Sequence, residues 1–184
     1  MIPKKILDRW EILQQQKKES FLSHKGEIII IIYGAYSPPS DEHNLGGKER
    51  LIKLRDNLKK NGYIQTYIVE EFPSDENSVS PNLDKSFDCL NLADLNILVF
   101  TCSGNTDSVT SELEYAIENK LLSKCLVFEE CYNGIPAMGT LPREKLKRES
   151  YLLAKVEYKN DDDLYEHVLG YVVPFLERHV KKSK

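Results

Sequence analysis

The sequence predicts an α/β domain of three layers, with about five mainly parallel strands flanked by helices. Three observations carry this reading. An unbroken run of isoleucines from Ile28 to Ile32 lacks the polar alternation of a half-exposed strand, as expected for one covered on both faces. Further short apolar runs alternate with stretches whose leucines recur at helical spacing, the pattern of β-strands joined by right-handed helical crossovers. The chain of 184 residues, 41% hydrophobic and 29% charged, is long enough for one filled core and too apolar to stay disordered. One domain is expected, with an N-terminal helix over 1–25, a core over 26–160 and a C-terminal helix over 161–184.

Ile6, Trp10 and Leu13, with Phe21 and Leu22, give a rough helical face over residues 3–23, with Pro3 suited to its first turn. Residues 27–36 are the central strand. The stretch 37–47 holds two prolines and two glycines and reads as a long loop. Leu51, Leu54 and Leu58 line a helix over 48–60, which Asn61-Gly62 stops. Strand two is expected over 63–72, and after a polar loop Leu83, Phe87, Leu90 and Leu92 line a helix ending near Ala93.

Strand three runs over 95–101, a polar turn follows, and helical spacing returns over 110–122. There Ser111 and Glu114 fit a capping box, which makes Glu112 the first helical residue. Strand four occupies 124–129, and 131–149 is irregular apart from a helical turn over 143–148. A fifth strand at 154–158 leads to a final helix that opens on three aspartates, where the helix dipole favours negative charge, and that Pro174 should kink.

A net charge of −4 without a basic stripe argues against nucleic acid as a partner. No stretch is long and apolar enough for a bilayer, and the N-terminus has no secretory core, so a cytoplasmic protein with no membrane partner is expected. The four cysteines lack metal-site spacing and read as reduced, mostly buried thiols. No cofactor or metal is expected. A small molecule is the expected partner, and self-association into a homo-oligomer is open.

Ligands of parallel sheets bind beyond the carboxyl ends of the strands, which selects the loops over 33–47 and 101–112. Gly34 allows a ligand close to the backbone. Gly46-Gly47 with Arg50 and Arg55 nearby matches no phosphate fingerprint, and a flexible loop beside a solvated helix face is the preferred reading there. His43, alone in its loop, is read as incidental.

The second loop carries the most specific signal. Ala93-Asp94 precedes an apolar strand, and Asp107, Thr110 and Glu112-Leu113-Glu114-Tyr115-Ala116 follow it. In these residues the chain resembles the nucleoside 2-deoxyribosyltransferase-like superfamily and, more distantly, Toll/interleukin-receptor-type domains that cleave NAD. Val109 and Glu114 stand where that pattern has glycines.

The resemblance implies a flavodoxin-like or deoxyribosyltransferase-like fold, with activity at the N-glycosidic bond of a nucleoside, nucleotide or NAD-like substrate. It further implies that Glu112 is the catalytic carboxylate, supported by Tyr33 or Tyr36 after the first strand and by an acid of the preceding helix, Asp88. Asp107, Ser108 and Thr110 would orient the sugar. The chemistry is coherent, because breaking such a bond passes through a sugar cation that a carboxylate beneath the anomeric carbon stabilises. A non-catalytic nucleotide-binding or signalling module and a self-associating interaction domain remain alternatives.

Overall fold

A computed structural model of the chain describes residues 3–35, 47–102, 104–149 and 155–182. Its elements run in the order α1 (Lys4–Glu27), β1 (Ile30–Gly34), α2 (Gly47–Lys60), β2 (Thr66–Ile68), α3 (Pro81–Leu92), β3 (Leu95–Phe100) and α4 (Asp107–Glu118), then β4 (Cys125–Tyr132), β5 (Ile135–Pro136), α5 (Thr140–Arg148), β6 (Lys155–Tyr158) and α6 (Asp161–Lys182). The result is a three-layer α/β fold with a six-stranded, mostly parallel sheet. Parallel pairing gives β2-β1-β3-β4 with β6 on the far side of β4, and the two-residue β5 pairs antiparallel with the end of β4.

Alternation along the buried strands sends side chains to two separate cores. Ile30, Ile32, Leu95, Ile97, Val99, Leu126 and Phe128 pack against Leu51, Leu54 and Leu58 of α2 and Leu164, Val168 and Val172 of α6. Ile31, Tyr33, Leu98, Phe100, Cys125 and Val127 pack against Cys89 and Leu90 of α3, Val109, Leu113 and Ala116 of α4, and Leu146 of α5. Among the described residues, no helix is long and apolar enough to cross a membrane.

Several elements differ from their expected bounds, each for a local reason. β2 stops at Ile68 because Val69–Glu71 coils into one tight turn, closed by Glu71 Oε2 accepting the Ile68 N–H at 2.9 Å. α4 starts at Asp107 rather than Thr110, because Asn105 Oδ1 accepts the Asp107 N–H at 2.8 Å and the Thr106 carbonyl takes the first helical bond, from the Thr110 N–H at 2.9 Å. Ser111 is therefore not a cap: its hydroxyl donates to the Asp107 carbonyl at 3.0 Å inside the helix. The expected single turn at 143–148 is a longer helix, α5, and β4 continues to Tyr132. α1 extends to Glu27, and α6 passes through Pro174 without ending there.

Candidate functional site

β1 sits between β2 and β3, so chain connections leave it in opposite directions. In sheets of this kind ligands bind at such a reversal, beyond the carboxyl ends of the two strands, here β1 and β3. The connection after β3 leads directly into α4.

α4 turns Val109, Glu112, Leu113 and Ala116 toward the sheet, the three- and four-residue spacing of one helical stripe. Glu112 thus occupies a core position, in the second turn of the helix rather than its first. It is only 4% exposed. The Ser86 hydroxyl of α3 hydrogen-bonds its carboxyl, while Oε2 has no hydrogen-bond partner. Burial, and secondarily the nearby Glu70 carboxyl, push the Glu112 carboxyl up to about 8, against the opposing effect of Ser86.

Tyr33, the penultimate residue of β1, projects to the same side of the sheet and is fully buried. Its hydroxyl also lacks a partner. Burial raises the phenol strongly, and the Cys89 thiol and Glu112 carboxyl in its surroundings raise it further. Glu70, in the turn after β2, contributes a third buried oxygen without a partner, Oε2. Buried polar atoms are paired in the great majority of cases, so three such atoms, with Glu112 acting on Tyr33 and Glu70 acting on Glu112, are unusual. Sites that act on substrates are where such arrangements concentrate.

The structure brings together Glu112 and Tyr33 of the expected set. Gly34 follows Tyr33 but faces the opposite layer, where a Cβ would lie 2.8 Å from Leu51 Cδ2 and 3.2 Å from the Val99 carbonyl oxygen, so its role there is close packing of α2 on the sheet. Asp88 is not the acid beside Glu112: it is exposed on α3, whose buried stripe is Ser86, Cys89 and Leu90. Asp107 and Ser108 are exposed at the start of α4 and Thr110 is half-buried, all off the stripe that carries Glu112. Asp94 is structural, its Oδ2 accepting the Ile29 N–H at 2.9 Å just before β1. Tyr36, His43 and Gly46 lie outside the described residues.

A second polar cluster occupies the α2 side. Arg50 is 6% exposed, with Nη1 3.1 Å from Glu130 Oε2 and Nε 2.6 Å from Asp161 Oδ1. Glu130 Oε2 also accepts the Cys102 N–H at 2.7 Å. With both carboxylates committed to it, the Arg50 guanidinium is a clamp between α2, β4 and α6 rather than a phosphate ligand. Nearby, Glu129 Oε1 accepts the Met138 N–H at 2.8 Å and pairs with Arg143 at 2.9 Å, tying the β5–α5 excursion to β4. Of the cysteines, Cys89 and Cys125 are buried, Cys131 is half-buried and Cys102 is exposed.

Ser86 and Glu70 were not among the expected site residues. The spacing of Ser86, Cys89 and Leu90, at i, i+3 and i+4, carries the signal for Ser86, but the larger Leu83 and Leu92 draw the expected face away from it. Both of these are exposed. Glu70 carries no such signal, because its position depends on β2 ending two residues before it. No protein-family model, curated protein or solved structure matches the chain.

Proposed function

We propose that this protein cleaves, or transfers a group at, the N-glycosidic bond of a nucleoside, nucleotide or NAD-like compound, with Glu112 as the carboxylate that meets the anomeric carbon. The observation that carries the reading is the buried Glu112 carboxyl, with a partnerless oxygen beside Tyr33 at the reversal point of the sheet. A surface acid that merely complements a helix dipole would be solvated and in the first turn. Glu112 is neither.

The environment also rationalises which substrates suit it. Held up to about 8, the carboxyl is mostly protonated in the empty site at neutral pH, and a nucleophile or cation stabiliser must be ionised. A substrate with positive charge at the glycosidic nitrogen, such as a nicotinamide riboside unit or a protonated base, lowers that value by direct attraction. Ionisation then coincides with binding. As the glycosidic bond breaks, its electron pair leaves with the base, and the developing sugar cation is stabilised by, or bonds to, the Glu112 oxygen that has no protein partner. The Ser86 hydroxyl hydrogen-bonds the same carboxyl.

Incubation with NAD and a panel of nucleosides and nucleotides, with free base measured by chromatography, tests this. Base release by the wild-type chain that falls at least about a thousandfold in Glu112→Gln supports the enzyme, given the size typical of losing a catalytic nucleophile. Ligand-induced thermal stabilisation without turnover would replace it with a nucleotide-binding module.

A further inference from the structure

We infer that Glu70 is a specificity-determining residue that accepts a sugar hydroxyl, and that the site accordingly prefers ribosyl over 2-deoxyribosyl substrates. The inference rests on the glycosidic reading of Glu112 and deepens it.

The adjacent acids of the turn after β2 have different surroundings. Glu71 is accounted for, with Oε2 closing the turn on the Ile68 N–H at 2.9 Å and Oε1 paired with Arg55 at 2.6 Å. Glu70 has no corresponding structural bond to explain its inward-facing Oε2, which is buried and partnerless. It lies near enough to Glu112 and Cys89 for its charge to act on both. The Oε2 atoms of Glu70 and Glu112 are thus both buried and without partners, and Glu112, like the neighbouring Tyr33, is on a side chain more than nine-tenths buried. With Glu112 ionised in the substrate-bound state, it and Glu70 only accept hydrogen bonds, so the ligand group that suits both is a pair of closely spaced donors. Vicinal hydroxyls are such a pair.

Sugar stereochemistry aligns this demand with the reaction. In a β-nucleoside the base lies on one face of the ring and the 2′- and 3′-hydroxyls on the other. A carboxylate that approaches the anomeric carbon opposite the leaving base approaches from the hydroxyl-bearing face. The diol is thereby directed toward the floor formed by Glu112, and a second acceptor there, Glu70, is satisfied by the hydroxyl that Glu112 leaves free. A 2′-deoxy substrate supplies one donor fewer and leaves a buried carboxylate oxygen unpaired, which costs a factor of roughly ten to a hundred.

Matched ribo- and 2′-deoxyribonucleosides and their 5′-monophosphates, assayed for base release by wild type, Glu70→Ala and Glu70→Gln, test the assignment. The expected wild-type kcat/KM favours the ribosyl member of each pair by about tenfold or more. In Glu70→Ala the ratio collapses to within about threefold, chiefly through loss of ribosyl turnover. Should Glu70→Ala not fold, judged by thermal melting, the Glu70→Gln ratio decides, and it narrows in the same direction. A residue that only supported the fold would lower both substrates together and leave the ratio intact. Glu112-dependent base release with a ratio unchanged by either variant, or with a deoxyribosyl preference in wild type, overturns the role of Glu70 alone. Absence of Glu112-dependent base release from every compound overturns the glycosidic reading, and this inference with it.

Discussion

Glu112 sits in a core stripe between Val109 and Leu113, where a leucine would pack, and the protein bears a cost for keeping a carboxyl there. An unfolded chain releases this proton near the ordinary value of 4.5, whereas burial holds it in the folded state up to about 8. Between those values the folded state binds more protons than the unfolded one, so stability falls as pH rises through that window, by up to a few kcal/mol at about 1.4 kcal/mol per pH unit. The Glu112→Gln variant has no such group. Thermal melting at about pH 5 and about pH 8 should therefore show wild type losing more stability than Glu112→Gln on going to the higher value. Equal changes in both would mean that the carboxyl is solvated. This property was partly legible in the sequence, because the run from Glu112 to Ala116 already singled out the residue. Its depth was not, since that depends on where α4 begins, and Asn105 sets the start by capping Asp107.

At the scale of elements, two contacts fix how the α2 layer meets the sheet. Gly34 lets Leu51 approach the last residue of β1, with a Cβ there meeting both Leu51 methyls and the Val99 carbonyl. Gly34→Ala should cost about 1–3 kcal/mol as the helix is pushed outward, read from urea unfolding at unchanged slope. Arg50 joins α2 to β4 and α6 through Glu130 and Asp161. Its removal leaves two largely buried carboxylates without their cation, so Arg50→Met should destabilise by about 3–5 kcal/mol. A loss under about 1 kcal/mol in the same measurement would mark the pair as a surface bridge. The apolar strands and the leucines of α2 were readable from periodicity alone. The turn after β2 and the phase of α3 were not, because the first depends on a side chain folding back onto Ile68 and the second on a small polar residue facing inward.

Over the whole molecule, five parallel strands in a doubly wound order divide the interior into two cores of different character. The α2–α6 side holds the Arg50 clamp, and the α3–α4 side holds the partnerless oxygens of Tyr33, Glu70 and Glu112. The alternation of strands and helices made this architecture readable in advance. The long first helix was readable as a helix, but its apolar spacing implied a packed face, and Ile6, Leu7, Trp10, Ile12, Leu13 and Leu22 are all exposed on it. Trp10, the single tryptophan, is 58% exposed on it. Its fluorescence should be readily quenched by acrylamide in the folded protein, and little more so after unfolding. Strong protection in the folded state would place α1 against a surface, whether of this chain or of a second copy.

The pH dependence of base release joins these scales, since the position of one carboxyl in α4 sets both its proton affinity and its chemistry. We expect kcat/KM of wild type on a neutral nucleoside to rise with pH through a transition near 8 and to level off above it, with Glu112→Gln inactive throughout. Turnover retained in Glu112→Gln with an unaltered profile would contradict the assignment of this residue to the anomeric carbon.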